Sequence, residues 1–147
     1  MSKVLLGNIP ETSSPQLQVA LSWLESFVRK DFNKVASLVS ESYAQKIMPR
    51  SMGIENLVFS KAQSLGLIQI LLGSVDTESH TLTGTVHERV EVGDTVILHV
   101  TTDGTSVTGN PYTGDFIFWF EVKKEEDGQY RVVALKEFLD SKFMSGI

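Results

Sequence analysis

The sequence contains no cysteine. Disulfides, thiolate zinc sites and cysteine nucleophiles are therefore excluded. It has no apolar run approaching the roughly 18 residues of a membrane-spanning helix. Its opening stretch, "MSKVLLGNIPETSSP", carries one lysine and an apolar run of only about four residues. A secretory signal needs roughly 7–15, so a cytoplasmic location and no membrane partner are expected. Glycine-rich phosphate loops and the G-x-S-x-G elbow are missing, as are internal repeats and low-complexity segments. Positive charge is scarce: 13 Lys and Arg stand against 18 Asp and Glu, a net charge of −5. The densest basic stretch, "FVRKDFNK", is interrupted by Asp31. Nucleic-acid binding usually requires a basic stripe, so no nucleic-acid partner is expected.

What remains is an ordinary globular composition. The 147 residues suit one domain with a sizeable core, and 41% are hydrophobic and 21% charged. "SSPQLQVALSWLESFVRK" predicts a helix, with Ser14 as cap and Pro15 at the first position. Leu17, Leu21, Leu24 and Val28 recur on one helical face, widened by Ala20 and Phe27. "DFNKVASLVSES" predicts a second helix capped by Asp31, with Phe32, Val35, Leu38 and Val39 as its apolar face. "YAQKIMP" predicts a short extended piece ending at Pro49. "GIENLVFSKAQSLG" predicts a third helix, with Ile54, Leu57, Val58 and Leu65 inward; "LIQILLGSV" fits its continuation or a strand.

From about residue 79 the period changes to two. "HTLTGTVHERVEV", "TVILHVTT", "DFIFWFEVKKE" and "QYRVVALKEFLDS" predict four strands, separated by turns at Gly93-Asp94, Asp103-Gly104 and Asp127-Gly128. Helices first and antiparallel strands after them predict an α+β fold.

The succession "VEVGDTVILHVTTDGTS", "YTGDFIFWFEV" and "DGQYRVVALKEFLDSKF", with "QKIMPRSMG" earlier, resembles the SnoaL-like polyketide cyclase family, especially its small fungal members. That family lies within the nuclear transport factor 2-like superfamily, and the resemblance spans roughly residues 15 to 143. It implies residues 1–14 as an extension, 15–143 as one domain and 144–147 as a tail. It implies a cone: three N-terminal helices packed on a strongly curved, mainly antiparallel sheet around a central pocket. Members include cyclases, isomerases and dehydratases that use side-chain acid/base chemistry without metal or organic cofactor. Others are non-catalytic binding modules, so fold does not decide function.

The last strand places Val133, Leu135, Glu137 and Leu139 on one face and Val132, Ala134, Lys136 and Phe138 on the other. A carboxyl between leucines is desolvated, which raises its pKa and suits it to proton exchange near neutrality. Glu137 is thus a candidate catalyst, or a salt-bridged structural residue at the rim. Asp140 is a candidate to orient a catalytic group, or a turn residue. In "TVILHVTT", Val96, Leu98 and Val100 form an apolar face, and Thr95, Ile97, His99 and Thr101 a mixed one. That mixed face is pocket-lining or solvated, which makes His99 a second candidate proton carrier. His87 is expected at the surface or a dimer interface, and His80 in solvent. His87, His99 and Glu137 would form a metal site only if they converge, and no metal is expected.

Candidate ligand contacts are Arg50 at the pocket mouth, or else an ordinary surface arginine; the phenols of Tyr43 and Tyr112, or else packing residues with their hydroxyls at water; and the row Phe116, Phe118 and Phe120, most of which are expected in the core. Ile117 and Trp119 occupy the other face of that row's strand; a strand apolar on both faces predicts a homodimer covering the outer one. The function expected is a cofactor-independent isomerase, cyclase or dehydratase. Its substrate would be a small, largely apolar, carbonyl-bearing metabolite, as in natural-product biosynthesis. The alternative is a module that binds a small ligand or a protein without chemistry.

Overall fold

The computed structural model describes residues 3–6, 14–48, 57–73, 82–105 and 111–140, with 71–73, 105, 111 and 112 described by their backbone only. The elements are β1 (Lys3–Leu6), α1 (Pro15–Val28), α2 (Phe32–Leu38), β2 (Val39–Met48), α3 (Lys61–Gly73), β3 (Thr83–Val92), β4 (Thr95–Thr105), β5 (Pro111–Lys124) and β6 (Tyr130–Leu139). These helices pack on a six-stranded sheet of order β1-β3-β4-β5-β6-β2. The sheet is mixed: β1 runs parallel to β3 and β2 parallel to β6, while the remaining pairs are antiparallel. No helix among the described residues is long and apolar enough to cross a membrane.

Local chemistry explains the helix starts. The Ser14 hydroxyl accepts from Leu17 N at 3.1 Å, with Pro15 opening α1 where its missing N–H costs nothing. The same hydroxyl donates to Glu91 Oε1 at 2.6 Å, tying the helix start to β3. Asp31 caps α2 by accepting from Lys34 N at 3.1 Å.

Four expectations change. The second helix stops at Leu38, because Val39 takes an extended backbone and pairs with Val132 of β6; sheet pairing outweighs the helical pattern of "LVSES". The third helix starts at Lys61, and Leu57 and Val58 are exposed rather than inward. Ile54 lies outside the described residues. "LIQILLG" continues this helix, whose inward face carries Ser64 and Ile68. Asp103 and Gly104 form no turn: they pair with Thr113 and Tyr112 as β4 continues to Thr105. A Cβ at Gly104 would sit 2.9 Å from Leu82 Cδ1, so that side chain would have to shift to admit one. Finally, Leu21 is only half-buried, and Trp23 takes the central place on the inward face of α1.

The register shifts in β2 between Val39 and Ala44, and bulges in β3 and β6 reset the side-chain alternation. In β3, Val86 faces Val100 but Glu88 faces His99, which leaves His87 as the extra residue. In β6, Val132 faces Val122 and Ala134 faces Glu121, which leaves Val133 unpaired. Val132 is therefore buried and Val133 is not, reversing the simple parity, while Leu135, Glu137 and Leu139 keep the inward face.

That inward face and α1 make the core. Trp23 stacks on Phe27 at 5.3 Å and meets Phe118 and Phe120 edge-on at 5.4 Å each. Val96, Leu98, Val100, Phe116, Leu135 and Leu139 complete it.

Candidate active site

Glu137 sits inside this core. It is 5% exposed, between Leu135 and Leu139 on its own strand. Its neighbours in register are Phe118 on β5 and Ile47 on β2, both buried. Burial pushes its carboxyl up to about 7, and a hydrogen bond from Gln45 pulls part of that shift back. Among the described residues it has no cation beside it: their buried polar side chains are Ser26, Ser40, Gln45, Ser64, Thr102 and Glu137. Its burial places it inside the core rather than at an exposed rim, and no described residue forms a salt bridge with it.

The partners of Glu137 are polar but uncharged. Gln45 Nε2 donates to Glu137 Oε2 at 2.9 Å. Gln45 Oε1 accepts from the Tyr43 hydroxyl at 2.9 Å and also from the Ser64 hydroxyl. Tyr43 is buried, and desolvation raises its phenol further, so it remains protonated. A chain of β2, α3 and β6 residues thus ends on one carboxyl. Phe59 bridges to Gln45 with reciprocal backbone bonds of 2.9 Å each, which brings the start of α3, and with it Ser64, against β2.

Gln45 and Ser64 were not legible as site residues. The available signal was the alternation Tyr43, Gln45, Ile47 against Ala44, Lys46, Met48, in which a glutamine falls on the buried parity.

His99 does not join this group. It points from β4 to the outer face, pairs in register with the outward Ile117, and its side chain is 34% exposed. Its Nε2 lies 2.7 Å from Asp115 Oδ1, and its ring centroid is 5.0 Å from that of His87, whose Nε2 meets Thr101 Oγ1 at 2.7 Å. The alternation of β4 carries Val96, Leu98 and Val100 inward, which sends His99 outward. For the same reason His87, His99 and Glu137 do not converge on a metal, and the described residues hold no group of three or more metal-ligating side chains.

Asp140 also stands apart. It is exposed, its N–H donates to Asp115 O at 3.3 Å, and it lines a cleft of about 240 Å³ with Asp103 and Asp115. Phe116, Phe118 and Phe120 face inward, with Phe118 and Phe120 fully enclosed in the core against Trp23. Arg50 and His80 lie outside the described residues, as does the side chain of Tyr112, whose backbone pairs with Gly104.

No protein-family model matches the chain, and no curated protein matches it significantly. Solved structures do match. AusH from Aspergillus nidulans superposes with a TM-score of 0.73 at 24% identity, covering 90% of this chain and 88% of that one. The BvnE pinacolase from Penicillium brevicompactum gives 0.67 at 17% identity, over 95% and 94% of the two chains. A protein of Shewanella denitrificans assigned to the SnoaL-like polyketide cyclases gives 0.66 at 10% identity, over 91% and 96%. The chain therefore has the nuclear transport factor 2-like fold of the SnoaL-like proteins.

Proposed function

We propose that this protein is a cofactor-independent acid/base enzyme in which Glu137 carries the proton. One observation carries the reading: a carboxyl is buried with no cation beside it among the described residues, and burial pushes its pKa up to about 7. A group poised at the working pH both takes and returns a proton, which is what an isomerase, cyclase or dehydratase requires. The reading is supported by the presence of an enzyme, the BvnE pinacolase, among the proteins of this fold. The substrate would be small, largely apolar and uncharged, with a carbonyl that acidifies the adjacent C–H. An anionic substrate is disfavoured, because no buried lysine, arginine or histidine among the described residues would answer its charge. The pocket would open within the cone, beside Glu137.

Proton exchange tests this without knowing the natural substrate. Hydrogen–deuterium exchange at the α-carbon of a panel of neutral apolar ketones, followed by proton NMR in D₂O, should be accelerated. The rate should rise with pH through about 7 and then level as Glu137 ionises. Glu137→Gln should lower it by about 10²–10⁴-fold, the range of a positioned general base. Ligand binding with no exchange, unchanged in Glu137→Gln, would establish the binding module instead.

The second part of the proposal is assembly as a homodimer through the outer face. Val90, Val92, Ile117 and Trp119 are exposed there, with Trp119 37% and Val92 69% accessible. Lys136 lies over the Trp119 ring, its Nζ 5.1 Å from the centroid. Light scattering at micromolar concentration should give twice the monomer mass, and Trp119→Lys should halve it. A monomer in the wild type would end this part of the proposal.

A further inference from the structure

We propose that Gln45 is a positioning residue whose pinned amide leaves the proton of neutral Glu137 on Oε1, where a ligand rather than the protein receives it. This rests on the reading of Glu137 as the proton carrier. The geometry carries it as follows. Gln45 is buried, and its Oε1 accepts from two hydroxyls, Tyr43 on β2 and Ser64 on α3. With both lone-pair directions of Oε1 occupied, the amide nitrogen is the end that faces Glu137, at 2.9 Å from Oε2. An amide N–H donates and never accepts. When Glu137 is neutral, Oε2 must therefore remain the acceptor, and the acid proton belongs on Oε1.

If the amide turned over, its carbonyl would face Glu137 and take that proton. The acid would then be satisfied within the protein and useless to a ligand. Turning over also strips Tyr43 and Ser64 of the acceptor they share. Both residues are buried and lie within hydrogen-bond reach of each other, so one of the two hydroxyls could turn to the other and the second proton would be left without its acceptor. The reciprocal backbone bonds between Gln45 and Phe59 keep the Ser64 turn of α3 close enough to hold the arrangement.

The described surroundings of Glu137 add no competing charge. Ile47 faces it from β2, Phe118 from β5, and Leu135 and Leu139 flank it on β6. Trp23 of α1 lies over Phe118. Tyr43 is the one other titratable side chain among these described neighbours, and burial holds it protonated.

The test is a carbon-detected NMR titration of the Glu137 carboxyl in the wild type, in Ser64→Ala and in Tyr43→Phe/Ser64→Ala. Without the two hydroxyls the amide is free to reverse, and the neutral acid gains an acceptor it lacks in the wild type. The Glu137 pKa should then rise by about one pH unit in the double variant, the worth of one hydrogen bond. Ser64→Ala alone should shift it in the same direction by less, and it serves if the double variant does not fold. A purely structural role predicts the opposite sign, because a loosened core admits water and lowers a carboxyl pKa. An unchanged or lowered value overturns the proposal. The outcome is independent of catalysis: failure of Glu137→Gln to slow proton exchange would remove the enzyme and leave the pinned amide standing.

Discussion

The hairpin of β5 and β6 carries carboxylates at both ends, and the fold treats them in opposite ways. At the turn, Glu125 is partly exposed and Asp127 exposed, and the two share Arg131. Its guanidinium reaches Glu125 at 2.9 Å and Asp127 at 3.0 and 2.7 Å. Ser40 adds a hydrogen bond to Glu125 at 2.7 Å. The Ser40 and Arg131 bonds hold Glu125 below its ordinary value, and the Arg131 bonds do the same for Asp127. Further along β6, Glu137 has leucines for neighbours, one neutral amide for a partner, and a pKa raised to about 7. Residue type alone therefore says little about protonation. What decides it is whether water or a cationic donor can reach the oxygens.

The strongest way to break this contrast is to wet the buried end. Phe118 lies opposite Glu137 on β5 and is fully buried. Phe118→Ala should cost about 3–5 kcal/mol, the usual range for deleting a core phenylalanine. Because the cavity borders a carboxyl, water entering it should also lower the Glu137 pKa toward the ordinary range. Chemical denaturation measures the first effect and NMR titration the second. A large loss of stability with no change in pKa would show that Phe118 packs the core without shielding the carboxyl.

The next effect is the pH dependence of the fold. A carboxyl whose folded pKa is raised costs nothing while it stays protonated. Stability should be complete below the unfolded value near 4.5, fall as pH rises toward about 7, and level off above. The interval corresponds to about 3 kcal/mol. Glu137→Gln should flatten that stretch. Denaturant midpoints between pH 4 and pH 8 measure it, and a wild-type curve with no such fall would contradict the buried, cation-free environment.

Part of this contrast was legible in the sequence. Glu137 stands between two leucines at spacing two, and alternation alone puts all three on one face. Phe116, Phe118 and Phe120 separate from Ile117 and Trp119 by the same rule, and Gly93 and Gly128 sit at positive φ in the turns expected of them. The rest depends on non-local pairing. Alternation defines two faces for His99 without saying which one the helices cover. Gln45 reaches Glu137 only because β2 runs parallel to β6, and no local pattern encodes that partnership across 92 positions. The bulges at His87 and Val133 shift parity where the apolar pattern gives no warning.

The smallest expected effect sharpens the comparison from the other end. Arg131→Gln keeps a polar side chain at the turn and removes its charge. The stability change should be minor, since exposed ion pairs contribute little and are screened by salt. The carboxyls should respond clearly: Glu125 and Asp127 should both move up toward the ordinary range. Glu137, about 20 Å further along the strand by the usual rise per residue, should not move, because the screening length at physiological ionic strength is about 8 Å. The signs of the two ends then separate. Depressed carboxylates stabilise the fold above their unfolded values and lose that contribution as pH falls through their folded ones. The turn therefore weakens on the acid side, below the ordinary carboxylate range, whereas Glu137 weakens the fold as pH rises toward 7. Arg131→Gln should reduce the acid-side loss, the Ser40 bond to Glu125 remaining, and leave the neutral-side fall intact, whereas Glu137→Gln should remove that fall and leave the acid side intact. If either substitution altered both limbs of the stability curve, the two ends of the hairpin would be electrostatically coupled, and the raised pKa of Glu137 could no longer be ascribed to burial alone.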